Sequence, residues 1–477
     1  MKSLISKWTK MPAPAKSAFA FVVTSFILKG INLITTPVFT RVMSAEQYGV
    51  LSTYNSWLFI FEVFALVGMT SAGVFNVGLN EYKECRDSFI SSVLFLCNII
   101  TVIFFVIVFL IQHFVKNDLF LPFSQLLLMF FWFIFSPAQV FWVTRQKYEY
   151  KYKLASCVII FSTTFSQLVS FFFVRKFDGI YVAEIKLWSQ YIVLVLFTLP
   201  IYVHIYVKGK KVIDFFCWKY IITFALPLIP HYLSQHVMSS ADKIMIAEMV
   251  SSADAGIYSV VNNIGLVATI IWNAVNSSLI AFVFDNLNNR KYNSINDVVT
   301  AILICYGVVC AGVALVAPDV MRILAPKEYY SGIYAVPPII CVAYLSALYN
   351  IYSNIEFYHK KANYIAISTT IATITNVVLN ILIIPTLSYV GASYTTLISY
   401  VVLVLLHFWG YKRCQKETVY NSKILFLISA FCIAFCLLCN IVYISDILRY
   451  LFVVCFLIVG VWKRKSILCI ISNLKNR

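Results

Sequence analysis

Four sets of polar residues sit at helical spacing inside otherwise apolar runs of this chain. Ser25, Lys29, Asn32 and Thr36 are four, three and four apart, and Ser52, Asn55 and Glu62 are three and seven apart. His236, Ser239, Ser240 and Lys243 follow the same pattern, and Asn262, Thr269, Asn273 and Asn276 are seven, four and three apart. Such spacing places each set on one face of a helix. The chemistry on offer is the lining of a polar cavity, with charged side chains among amides and hydroxyls. Asp242 adds a carboxylate beside Lys243, and Arg41 stands at the outer mouth of the first run.

A lysine mid-way along an apolar span costs about 2.5–3.5 kcal/mol, so it needs a partner or a wet cavity. For Lys29 the choice is an ion pair with Glu62 or a cavity cation, and the cavity cation is preferred. Lys243 lies near the end of its run, where snorkelling to the outer surface is an equal alternative. Asp242 either pairs with Lys243 or caps a turn. Isolated Ser, Thr and Asn in spans also bond neighbouring helices for structural reasons alone. There is no Gly-rich phosphate loop, HExxH, nucleophile elbow, metal-holding aspartate pair or Cys–His metal spacing. The expectation is a protein that is not an enzyme and needs no metal or cofactor.

The elements that position these stripes are transmembrane helices. The 477 residues are 61% hydrophobic and 12% charged, with mean hydropathy +0.85. An open sheet cannot satisfy its backbone in lipid, and the runs lack the alternation of barrel strands. An all-α integral membrane protein follows. Fourteen spans are expected near 17–39, 50–74, 88–111, 120–143, 154–174, 180–206, 221–247, 255–284, 298–317, 332–355, 363–385, 388–410, 424–443 and 446–462. Pro227, Pro230, Pro337 and Pro338 are expected to kink helices or mark hinges. The connections are too short for a separate catalytic domain.

The charge distribution sets an orientation. With the N-terminus in the cytoplasm, 27 Lys and Arg fall inside and 8 outside, the latter being Arg41, Lys116, Arg175, Lys176, Lys186, Arg322, Lys327 and Arg449. Acidic residues split nine and nine, so the bias is basic, as the positive-inside rule requires. Both termini are expected in the cytoplasm. The net charge of +17 sits in short clusters between spans, which argues against nucleic acid as a partner. Lys2, Lys7, Lys10 and Lys16 precede a full-length span with no evident small-residue cleavage site, so no cleavable leader is expected. None of the 13 cysteines lies in an expected outer loop, so structural disulfides are not expected.

The chain also repeats itself. Ser44-Ala45-Glu46-Gln47-Tyr48-Gly49 resembles Ser252-Ala253-Asp254-Ala255-Gly256 with one residue slipped before the glycine. Gly49 then pairs with Gly256, Ser52 with Ser259 and Asn55 with Asn262, each at an offset of 207. The same offset sets Lys29 against His236. Further on, Lys151-Tyr152-Lys153 before Ser162-Thr163-Thr164 parallels His359-Lys360-Lys361 before Ser368-Thr369-Thr370. Six spans per copy is an even number, so the copies enter the membrane alike, as parallel repeats do. The expected organisation is an N-terminal lobe over 1–220, a C-terminal lobe over 221–415, and two additional spans with a basic cytoplasmic tail over 416–477. The four stripes would then face one central polar cavity.

Three stretches carry a resemblance. Phe39-Thr40-Arg41-Val42-Met43-Ser44-Ala45-Glu46-Gln47-Tyr48-Gly49 follows the first span. Leu226-Pro227-Leu228-Ile229-Pro230-His231 leads to Ser240-Ala241-Asp242-Lys243-Ile244-Met245-Ile246, and Gly391-Ala392-Ser393 follows Pro385. In this order the chain resembles the Wzx-type O-antigen flippases, the polysaccharide transporters of the multidrug/oligosaccharidyl-lipid/polysaccharide superfamily. The resemblance implies a bacterial inner-membrane protein that passes undecaprenyl-pyrophosphate-linked oligosaccharide to the periplasmic leaflet by alternating access. It also implies cationic cavity residues, which Lys29 and Lys243 fit. Its partners would be the lipid-linked oligosaccharide, membrane lipids and other polysaccharide-assembly membrane proteins. A MATE-like small-molecule antiporter is the runner-up, favoured by an acidic cavity. A membrane-embedded polymerase or ligase comes third, because it calls for a large outer loop with paired Arg or His.

Overall fold

The computed structural model describes residues 12–115, 120–177, 179 and 181–462. Lys2, Lys7, Lys10, Lys116 and the tail beyond 462, with Cys469, lie outside the described residues. Helix is the only regular structure among the described residues. Contacts divide the chain into two compact units between Ser240 and Ala241.

Unit 1 opens with α1 (Ala13–Val42), entered through Pro12 and ended where Met43 turns extended. Ser44 then caps α2 (Ala45–Ala65), its hydroxyl accepting from the Gln47 amide, with Glu46 in the positive first turn. This unit continues through α3 (Ala72–Glu81), α4 (Arg86–Val115), α5 (Phe123–Tyr148), α6 (Tyr152–Lys176), α7 (Val182–Gly209) and α8 (Phe215–Ala225). The second expected span, 50–74, is shorter as a helix than expected. It stops at Ala65 because Val67 and Gly68 are left-handed, with φ of 51° and 65°. A Cβ on Gly68 would also meet the Tyr232 ring at 3.0 Å, so both space and backbone demand glycine there. Aromatic rings fill this unit's core. Phe61 packs edge-on against Phe104 and Phe120, and Phe75 stacks on Phe141 at 4.2 Å.

A single 3₁₀ turn, Leu226–Leu228, joins α8 to α9 (Ile229–Met249). Pro227 lies in that turn and Pro230 in the first turn of α9, where the helix type changes. Unit 2 takes the second half of α9, then α10 (Ser252–Asn288), α11 (Tyr292–Leu324), a 3₁₀ segment Lys327–Ala335, and α12 (Val336–Tyr358). Pro337 and Pro338 occupy the first turn of α12, where proline costs no hydrogen bond; they start a helix rather than kink one. Helix α13 (Ala362–Cys414) is broken at Ser388 (φ 48°, ψ −139°), and this break separates the two spans expected over 363–385 and 388–410. The unit closes with α14 (Ser422–Val442) and α15 (Asp446–Trp462).

Among the described residues, ten helical stretches are long and apolar enough to cross a membrane, by length and composition, against the fourteen spans expected. Helix α9 is not one of these ten; it carries His231, His236, Asp242, Lys243 and Glu248 in 21 residues. Large apolar side chains such as Phe172, Leu382 and Phe431 lie open on helix surfaces, as lipid contact requires. The protein is a multi-pass, all-α membrane protein.

Three helical hairpins share one turn. Tyr150, Arg290 and Lys360 are left-handed (φ 59°, 55° and 57°). The next residue in each is a lysine, Lys151, Lys291 or Lys361, whose amide bonds back to the carbonyl of Gln146, Asn286 or Glu356. The carbonyls that a helix end leaves open are satisfied in this way.

Candidate functional site

The expected site residues fall into two groups, one in each unit. On α1, Lys29 is half-buried and has no hydrogen bond or ion pair with a described residue. The stripe around it is spoken for locally. Ser25 bonds back to Phe21 O at 2.9 Å, and Thr35 and Thr36 donate to the carbonyl of Asn32, whose side chain is exposed. Arg41 is exposed and donates to Pro37 O at 2.8 Å. Glu62 does not pair with Lys29. Its carboxylate accepts from Thr70 at 3.3 Å, because the break in the helix after Ala65 sets that hydroxyl within reach. Asn55 is exposed on α2 and accepts from Tyr191 of α7 at 3.4 Å. His236 stacks flat on Phe59, with centroids 5.8 Å apart and planes 7° from parallel.

In unit 2, Asp242 neither pairs with Lys243 nor caps a turn. It is 5% exposed and accepts three hydrogen bonds: from Tyr258 at 2.8 Å, Asn380 at 2.6 Å and Thr396 at 2.6 Å. The donors have their own supports. Asn380 also donates to Asn376 Oδ1, Asn376 donates to Thr396, and Thr395 donates to Asn380 Oδ1. Four of these partners went unnoticed in the sequence. Their signal was present, since Asn376 and Asn380 are four apart in one expected span and Thr395 and Thr396 are adjacent in the next. Asn262 joins the cluster indirectly, its amide donating to Tyr258 O at 3.0 Å. Lys243 is half-buried with no hydrogen bond or salt bridge to a described residue, and Asn273 is exposed. The eighth-span stripe is thereby split: Asn276 accepts from Asn354 of α12.

Three further ionisable side chains are buried, a lysine and a glutamate–histidine pair. Lys186, expected in an outer loop, is 8% exposed within α7; its ammonium donates to Gln190 and lies 5.1 Å from the Phe39 ring. Glu356 and His407 meet at 2.7 Å with 0% and 1% of their side chains exposed. Among the described residues no group of three or more His, Cys, Asp or Glu could hold a metal ion.

Outside the spans, charges are paired in the ordinary way. Burial would raise the Glu149 carboxyl, but hydrogen bonds from Arg145 and Lys151 outweigh it and leave its pKa lowered. The Lys211 ammonium at 2.6 Å, with amides at the start of α8, lowers Asp214.

The family model for polysaccharide biosynthesis proteins matches residues 15–286, more than half of the chain. The protein belongs to this polysaccharide biosynthesis family. A curated relative, "Lsg locus putative protein 1" of Haemophilus influenzae, is 35% identical over 72 residues, 15% of this chain. The match spans only 18% of that relative. Among solved structures, a lipid II flippase MurJ in an inward closed conformation aligns over 94% of this chain and 99% of its own, with TM-score 0.68 and 15% identity. An inward-facing MATE family multidrug resistance transporter of the MOP superfamily aligns over 83% of this chain and 98% of its own, with TM-score 0.59 and 13% identity. At such identities the family member shares the fold of these transporters.

Proposed function

We propose that this protein is a flippase that carries an undecaprenyl-pyrophosphate-linked oligosaccharide, an O-antigen unit or a related repeat, from the cytoplasmic to the periplasmic leaflet of a bacterial inner membrane. It works by alternating access along a cationic polar path. The observation that carries this reading is Lys29: a mid-helix ammonium with no partner among the described residues. An unpaired charge in a span is expensive, and a pyrophosphate stripped of water needs such a charge. Asn32, Asn55, Asn262 and Asn273 offer amides to the sugars. His236 and Lys243 add charge, Glu62 steadies the path, and Arg41 stands at its outer mouth. Family membership and the flippase of similar fold support the same class, and neither points to an enzyme. The lobes are 1–220 and 221–415, and both termini are cytoplasmic. Other polysaccharide-assembly membrane proteins are its neighbours.

Asp242 favours a second reading, antiport of a small cationic molecule, because it is a carboxylate deep in a helix. Its oxygens are already taken by three donors, so it offers little negative charge to a cargo, and the flippase reading stands.

The test is complementation of a flippase-deficient strain, at matched membrane levels of protein. Lys29→Ala is expected to abolish surface polysaccharide and Lys29→Arg to retain it. Full display by Lys29→Ala would return Lys29 to a structural role. Reporter fusions after Lys211 and Arg413 should read cytoplasmic.

A further inference from the structure

At one end of unit 1, where α4 begins and α5 and α7 finish, lies an open cleft of about 90 Å3. Trp142, Arg145, Glu149, Lys151, His204 and Lys208 are among its walls, with Asp87. The charges are not evenly matched. Arg145 donates to both Asp87 and Glu149, and Lys151 donates to Glu149 at 2.7 Å. Two carboxylates are thus neutralised by two cations. Lys208 and His204 remain, both exposed and both without a hydrogen bond or ion pair to a described residue. They are four apart on α7 and so lie on one face. The indole N–H of Trp142 likewise has no hydrogen bond to a described residue.

The same helix carries an apolar strip beside this cationic one. Leu199, Val203 and Val207 are 40%, 52% and 68% exposed and are also four apart. Each cationic residue follows a strip residue by one position, a rotation of about 100° around the helix. A molecule with an acyl or prenyl chain along the strip would bring its head group to His204 and Lys208. Basic side chains and a tryptophan are the residues that meet lipid head groups at a membrane interface. The free donors are a point-charge ammonium, an imidazole and an indole, which suit the oxygens of a phosphate.

We propose that this cleft binds a phosphate borne by a membrane lipid, with the lipid chain lying along Leu199, Val203 and Val207. The inference does not rest on the transport reading; the cleft would hold an anionic lipid in either case.

The full-length protein, purified and delipidated, is titrated separately with phosphatidylglycerol, undecaprenyl phosphate, phosphatidylcholine and inorganic phosphate, and retained ligand is counted by native mass spectrometry. At least one of the two anionic lipids should be retained tenfold or more over phosphatidylcholine, and whichever is retained identifies the natural source. The His204→Gln/Lys208→Gln double variant and Lys208→Glu should lose that preference. Lys153→Gln, an exposed lysine outside the cleft, should keep it. Equal retention by wild type and double variant overturns the proposal, as does the absence of any preference over phosphatidylcholine. Displacement of lipid by inorganic phosphate at equal concentration overturns the role of the chain. Polysaccharide display is not read, so failure here leaves the flippase reading intact.

Discussion

The hydroxyl of Thr396 donates to the Asp242 carboxylate at 2.6 Å, although 154 residues separate the two in the chain. Both are buried, so the carboxylate depends on protein donors in place of water. Removing it strands the Tyr258 hydroxyl and takes one bond each from Asn380 and Thr396, which keep Asn376 Oδ1 and Ala392 O; an orphaned buried group costs about 1–3 kcal/mol. Asp242→Ala should therefore lower the Tm of the purified protein further than Thr396→Val, which removes one donor of three. Thermal melts of both variants in one detergent decide it. An Asp242→Ala melt equal to wild type would mean the cluster contributes no stability.

The Glu356–His407 pair makes a double-mutant prediction. His407→Ala leaves a carboxylate at 0% exposure without its partner, which costs about 3–5 kcal/mol. Replacing both residues with leucine removes both buried polar groups and should be the milder change. Gly410→Ala should also be damaging, because the new Cβ would run into the Glu356 carboxylate. Yields of folded protein after size-exclusion chromatography rank the three. A double variant worse than His407→Ala would show that the pair does more than satisfy itself.

Ser44 and Ser251 do the same work 207 residues apart: each side chain accepts an amide in the first turn of its helix, from Gln47 or Asp254. The slip noted in the sequence thus disappears, since Ser44 matches Ser251 rather than Ser252. Loss of such a cap costs about 0.5–2 kcal/mol. Ser44→Ala and Ser251→Ala should each lower Tm by a similar amount, and Ser252→Ala by less. A larger loss at Ser252 would contradict the register.

Acid should loosen the Asp87–Arg145–Glu149 contact. The folded pKa of Glu149 lies below its ordinary value of 4.5. Its stabilising contribution is therefore complete above the ordinary value and fades as pH falls through the lowered folded one. Melts of wild type and Glu149→Gln should differ by a constant amount near neutrality and converge at acid pH. A gap that widens on acidification would reverse the sign of the linkage.

The sequence by itself determined the class and the helices. A chain this apolar must satisfy its backbone inside each segment, so runs, prolines and short charged connections were enough to place most of the helices, though ten stretches of described helix, against fourteen expected spans, are long and apolar enough to cross a membrane. Polar spacing also found Lys29 and Asp242, because a charge in an apolar run stands out in any arrangement. What each charge does was decided only by tertiary structure. Glu62 turned to Thr70 because Val67 and Gly68 break the helix between them, and a break set by two left-handed residues is invisible to hydropathy. Asp242 turned to Asn380 and Thr396, and Glu356 found His407, because α12 and the two arms of α13 bring those side chains within reach. Sequence spacing reports neighbours along one helix. Partners on another helix depend on how the helices are packed and rotated, which a single sequence does not display.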